Sequence, residues 1–138
     1  MKFPAFKGIA RSLSFGLIWL SGPFLVVPAL AQELDGEGVR RLALEGIWEA
    51  EHAEYGFWSW NEDGTVCLRV GNKDGDCADT GTWEITENIL CYELTWWGES
   101  VGERKSCVTV KPIGDSRFET LFHGGAMVSR MFAFKVLD

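Results

Sequence analysis

The sequence predicts an all-β fold: an eight-stranded antiparallel meander closed into a barrel, with one short helix ahead of the first strand. Three observations carry this. After Gly46, apolar and polar residues alternate in short runs, the period-two signature of half-buried strands. The runs are separated by links rich in Gly, Asn and Asp, the residues that tight turns require. Large rings recur along the runs, as expected where one narrow interior must be filled. Closing such a meander removes the unpaired edges that an open sheet would expose.

The elements follow in chain order. In EGVRRLALE, residues 37–45, Val39, Leu42 and Ala43 fall at helical spacing before Gly46, which predicts the short helix. Strands are then expected at 46–51, 55–60, 65–70, 78–86, 89–97, 103–111, 117–123 and 127–137. The links between them are NEDG (61–64), GNKDG (71–75), TEN (86–88), GESVG (98–102), PIGD (112–115) and HGG (123–125).

The segment NILCYELTWWGESVGERKSCVTV, residues 88–110, fixes one hairpin in detail. Leu90, Tyr92, Leu94 and Trp96 share one strand face, and Cys91, Glu93 and Thr95 the other. Folding the segment about Glu99 sets Cys91 opposite Cys107, Glu93 opposite Lys105 and Leu90 opposite Val108. One register thus satisfies thiols, charges and the apolar face together, and it predicts a Cys91–Cys107 disulfide. Cys67 and Cys77, symmetric about Asn72, pair by elimination. That pairing puts Trp83 on the polar face unless the strand is bulged, for which Asp79-Thr80-Gly81 is the expected place.

Residues 1–31 have the three-part pattern of a secretory leader: Lys2, Lys7 and Arg11, an apolar run from Leu13 to Val27, and Ala29-Leu30-Ala31 before Gln32. Cleavage after Ala31 would leave one barrel domain, residues 32–138, periplasmic or secreted, where disulfides persist. Those 107 residues hold 20 acids against 10 bases, a net charge of −10. Such a surface repels phosphate backbones, so a nucleic-acid partner is not expected. No run after residue 32 is apolar for long enough to span a bilayer as a helix.

Chemistry-bearing patterns are sparse. NKDGDCAD (72–79) brings Asn72, Asp74, Asp76 and Asp79 together like a calcium loop. Cys77 stands where that loop needs glycine, and Trp83 where it needs a bidentate Glu, so a solvated tip is expected and no metal. His52 with Glu51 or Glu54 could form an acid–base pair, but lies among surface acids. No H-E-x-x-H or G-x-S-x-G pattern occurs, and the four thiols are assigned to bridges. Nothing points to an enzyme, a catalytic residue or a cofactor.

The rings remain. Trp48, Trp58, Trp60, Trp83, Tyr92, Trp96, Phe118, Phe122, Phe132 and Phe134 either fill the barrel or line its mouth as a site for a small apolar ligand, the tryptophans and Tyr92 being the expected ligand contacts. Gly46-Ile47-Trp48 after a short helix resembles the G-x-W motif that opens the first strand of lipocalin-like (calycin) barrels. The resemblance implies carriage of small hydrophobic molecules, and it makes Arg130, in MVSRMFAFKV, the arginine that packs across that tryptophan. The helix that typical lipocalins place near their C-terminus has no counterpart in this chain.

The whole pattern is also similar to small exported proteins of alphaproteobacteria grouped as a domain of unknown function. It shares their W-x-W pair (Trp58-Ser59-Trp60), their D-G turn (Asp63-Gly64) and their G-x-W (Gly81-Thr82-Trp83). Their L-C and S/T-C strands correspond to Leu90-Cys91 and Ser106-Cys107. That likeness implies compartment and fold without an activity. Three functional expectations follow: a binding barrel for a small apolar ligand; a protein-binding module such as a periplasmic hydrolase inhibitor, its acidic loops entering a basic cleft; and a structural envelope protein with a filled barrel.

Overall fold

The computed structural model describes residues 32–52, 56–97 and 104–138. The expected leader, Glu54 and the GESVG link lie outside them. Helix α1 (Gly36–Glu45) precedes eight strands: β1 (Ile47–Ala50), β2 (Phe57–Trp60), β3 (Thr65–Arg69), β4 (Asp79–Thr86), β5 (Ile89–Leu94), β6 (Lys105–Gly114), β7 (Arg117–Phe122) and β8 (Met131–Leu137). Each strand pairs antiparallel with the next, and β1 returns to β8 through Ile47–Leu137, Trp48–Val136, Glu49–Lys135 and Ala50–Phe134, which closes the barrel. Among the described residues no helix is long and apolar enough to cross a membrane.

Local chemistry starts the helix where the sequence indicates. The Asp35 side chain caps it, accepting from the Gly38 N–H at 2.8 Å, and Glu37 places a negative charge in the first turn. Val39 and Ala43 turn inward, with Leu42 partly buried against the same core. The glycine after the helix answers a steric demand. At Gly46 the backbone passes so near β8 that a Cβ would lie 2.1 Å from the Leu137 carbonyl oxygen. Gly81 is tighter still, with 1.7 Å from a built Cβ to the Glu93 carbonyl oxygen.

The two ends of the barrel differ. At one end the links are short: residues 61–64, 87–88 and 115–116. Helix α1 packs across that end, where the Trp48 indole Nε1 donates to the Leu42 carbonyl at 3.1 Å and the Arg40 guanidinium lies 5.4 Å from the Trp83 ring centre. The turn at 61–64 is held by the Asp63 carboxylate, which accepts from the Thr65 N–H (2.9 Å) and hydroxyl (2.6 Å). Those bonds, the hydroxyl's first, keep its pKa below the ordinary carboxylate value. At the other end lie the longer links, of which residues 51–52, 56, 70–78, 95–97, 104 and 123–130 are described, and α1 does not cover them.

Both disulfides are formed, Cys67–Cys77 with Cα atoms 5.4 Å apart and Cys91–Cys107 with 4.0 Å. An oxidising environment outside the cytoplasm sustains such bonds. The β5–β6 register is the expected one: Leu90–Val108, Cys91–Cys107 and Glu93–Lys105. Other expectations need correction. Strand β4 is not bulged at Asp79-Thr80-Gly81, because its ladder with β3 runs unbroken from Leu68–Asp79 to Thr65–Thr82. Cys77 lies ahead of β4, in the loop, so alternation along the strand does not bind it and Trp83 points inward.

Cys67 itself pairs with Thr80, three residues beyond its disulfide partner. The bridge therefore ties the 70–78 loop down rather than spanning a ladder rung. The PIGD link is also shorter than expected. Strand β6 continues through Pro112 to Gly114 across the chain's register shift there, leaving residues 115–116 as the turn. Strand β8 begins only at Met131, after a 3-10 turn at Gly125–Met127.

The closure seam gives a direct test. A Gly46→Ala substitution forces a methyl group onto a backbone carbonyl that has no rotamer to yield. A loss of about 3 kcal/mol is expected, read as a lower urea midpoint at unchanged slope.

Candidate ligand site at the barrel mouth

Inward-facing residues of every strand converge on one interior of interlocked rings. Trp48, 1 % exposed, meets Phe118 at 4.4 Å and Trp60 at 5.0 Å between ring centres. Trp58 stacks on Trp60 at 5.8 Å and meets Tyr92 edge-on at 5.1 Å. Phe118 and Phe134 stack at 5.5 Å. Such pairs add attraction beyond the area they bury. Little free space remains: a hollow of about 20 Å³, lined by Trp48, Trp58, Trp60, Tyr92, Val108, Thr120, Phe122 and Phe134. Of the two expectations for the rings, filling accounts for the interior.

Above it, at the end with the long loops, a second pocket of about 40 Å³ is lined by Trp58, Tyr92, Trp97, Ser106, Phe122, Met127, Phe132 and Phe134. Four of these residues also line the inner hollow, so the two spaces share walls. None of the lining side chains is charged at neutral pH. The Tyr92 hydroxyl bonds the Ser106 side chain, and burial pushes its pKa up to about 12 against the lowering effect of that bond. Volumes of this size are far below the roughly 300–1,000 Å³ of drug-sized ligand pockets, so an occupant is small or moves the rings.

The rim is organised by one buried carboxylate. Asp79, at the start of β4, accepts from the Thr80 N–H (2.8 Å), the Thr95 N–H (3.3 Å) and the Thr95 hydroxyl through one oxygen, and from the Trp97 N–H (2.8 Å) through the other. Burial alone would raise its pKa, but these donors, led by the Thr95 hydroxyl, more than offset that and hold it below the ordinary value. The same contacts end β5 at Leu94. Trp96 therefore does not continue the inward face, as alternation predicts. It lies exposed on the rim, its indole donating to the Ala78 carbonyl at 2.7 Å, while Trp97 reaches the pocket.

The expected site residues thus divide. Trp58 and Tyr92 reach both spaces, and Trp48 and Trp60 line only the inner one. Trp83 lies at the helix-capped end, where its indole donates to the Asn61 carbonyl at 2.9 Å. Arg130 is exposed and six residues along the chain from Val136, the partner of Trp48, a span of roughly 20 Å along a strand. It does not cover that tryptophan. The guanidinium over a tryptophan at the closed end is that of Arg40, on Trp83.

Sequence reasoning missed Trp97, Ser106 and Met127 as pocket residues. The alternation of Ser106 with Val108 and Val110 could have shown its inward face. Trp97 and Met127 lie outside the strands and gave no periodic signal.

Elsewhere, two larger hollows lie on the outer wall. One, about 180 Å³, runs beside the Glu84–Lys105 ion pair (3.0 Å). The other, about 200 Å³, adjoins Thr109, whose hydroxyl donates to Glu33 at 3.1 Å and meets His123 Nε2 at 2.8 Å. Of the two acids named beside His52, Glu51 has its carboxylate bonded by Arg117, whose Nε donates at 2.6 Å, and Glu54 lies outside the described residues. The Asn72–Asp79 acids do not converge either: Asp74 pairs with Lys73 at 2.7 Å, and Asp79 is committed to the rim.

Two titrations test this electrostatics. In Asp79→Asn an amide N–H faces the Trp97 N–H. A loss of about 2 kcal/mol at neutral pH is expected. Because the folded pKa of Asp79 is depressed, its contribution is present above the unfolded value of 3.8 and is lost as pH falls through the folded one. The wild-type advantage in urea denaturation should shrink on that acid limb. For Tyr92 the sign reverses: the neutral phenol stabilises fully below pH 10 and loses this effect as pH rises towards about 12. In a Tyr55→Phe background, which leaves one phenol, ultraviolet absorbance should show no phenolate at about pH 10 when folded and half-titration there in urea.

The closed eight-stranded antiparallel barrel is consistent with a lipocalin-like barrel. Comparison with protein-family models, with curated proteins and with solved structures found no match.

Proposed function

We propose that this chain is an exported, lipocalin-like binding barrel that holds a small, uncharged, apolar ligand at its mouth. The leader pattern of residues 1–31 and the two disulfides support export to the periplasm or beyond. The alphaproteobacterial exported family named above belongs to the same reading.

One observation carries the ligand assignment: apolar surface is concentrated at a single end of the barrel. The large apolar side chains exposed among the described residues are Val70, Trp96, Val128 and Met131. Val70, Trp96 and Val128 lie on the loops of the mouth end, and Met131, the first residue of β8, lies at the same end but on the outer wall. Elsewhere the chain is acidic and the opposite end is plugged by α1. Apolar groups at a concave, uncharged site, rimmed by polar loops, are what an apolar ligand recognises.

A second reading has its own support. The tightly filled interior and the disulfide-tied 70–78 loop suit a protein-binding module, such as a periplasmic hydrolase inhibitor, whose rigid rim loses little entropy on docking. Native mass spectrometry of the protein isolated from its own cell envelope separates the two. The ligand reading expects an uncharged lipophilic adduct, and expects tryptophan emission to respond when that compound is returned to stripped protein. A bare mass, four hydrogens light for the two bridges, with no emission change across a lipophile panel, would overturn it in favour of a protein partner.

A further inference from the structure

Resting on that reading, we propose that the ligand carries a carbonyl-type hydrogen-bond acceptor on its inserted end, and that the Trp60 indole N–H receives it. Trp60 Nε1 is the one buried side-chain nitrogen or oxygen without a hydrogen-bond partner among the described residues. Its neighbours are satisfied: Trp48 donates to the Leu42 carbonyl, Trp83 to the Asn61 carbonyl, and the Thr120 hydroxyl to the Phe132 carbonyl at 3.4 Å. Buried donors are paired in the great majority of cases, so an orphan asks for an occupant.

Space for one lies beside the Trp60 ring, and because the nitrogen itself is shielded an acceptor meets it only as the surrounding rings shift. Trp60 lines the inner hollow, and at about 20 Å³ that hollow takes about one water or one polar group of a ligand. It shares Trp58, Tyr92, Phe122 and Phe134 with the mouth pocket, so a ligand held at the mouth needs only those rings to shift to reach it. An indole N–H is a donor and nothing else, which fixes the occupant's end as an acceptor. No cation lines either space, and a carboxylate would be buried unpaired. The chemistry that fits is a neutral ketone, aldehyde, ester or amide oxygen on a narrow apolar body.

The test uses two probes of one shape: 2-nonanone, and 2-methyl-1-nonene, in which a methylene group replaces the oxygen. Their affinities are measured on the oxidised wild type and on Trp60→Phe by tryptophan emission. The indole protons are followed by NMR in ¹⁵N-tryptophan-labelled protein. The ketone-to-alkene affinity ratio should fall about tenfold in Trp60→Phe. The Trp60 indole proton should move downfield with the ketone and not with the alkene.

If Trp60→Phe does not fold, the wild-type resonance decides alone. A bound ketone that leaves the Trp60 resonance unmoved, or a ratio unchanged by the substitution, overturns the acceptor assignment while the mouth site stands. Binding of neither probe, with no emission response to any lipophile tested, overturns both.

Discussion

The pairing of β1 with β8 is the constraint on which the rest depends. Four residues on the first strand and four on the last complete the circuit, and every strand then turns one face to a single narrow lumen. An open sheet could have covered that face with a helix or a partner. A closed one has to fill it with its own side chains, and this explains the density of tryptophan and phenylalanine in so short a chain. Gly46 is part of the same constraint, because the backbone at the seam leaves no room for a side chain.

Closure also makes the ends unequal. Helix α1 is anchored by its cap and by Trp48, so it covers the end with short turns, and the long loops collect at the other. There the main device is a buried charge. Asp79 gathers donors from Thr80, Thr95 and Trp97, residues up to 18 positions away, and holds two strands' ends and a loop in one arrangement. A neutral side chain could not accept from both sides at once. The cost of desolvating the carboxylate is offset by its full set of hydrogen bonds, which gives the rim a defined shape beside an otherwise apolar pocket.

What the sequence revealed depended on how local the cause was. The hairpin through Cys91 and Cys107 was legible to the residue, because alternation, a charge pair and a thiol pair all fixed one register. The helix start was legible from its spacing, and the strand count from alternation and turn residues. Trp96 was misplaced because β5 is ended by Asp79, a contact that no period in residues 89–97 records. The supposed bulge in β4 failed because Cys77 sits in a loop, where alternation has no force. Arg130 was assigned by likeness alone, and the structure puts it at the far end of β8 from Trp48. The pocket mixed both kinds of residue: Tyr92, Phe122 and Phe132 follow strand periodicity, but Trp97 and Met127 arrive on loops.

The two disulfides have a joint consequence that lies in their distribution. One ties β3 to the loop before β4, the other ties β5 to β6, and β4 pairs with β5 between them. Both cross-links therefore lie in the β3–β6 half of the barrel wall. The other half, β7, β8, β1 and β2, is held by hydrogen bonds and packing alone. Thermal breathing of the barrel is cheapest on that unstapled side. The same side supplies Trp58, Phe122, Phe132 and Phe134 to the pocket. The wall against which a ligand would press is thus the wall most free to give way, while the stapled half keeps its shape as a template.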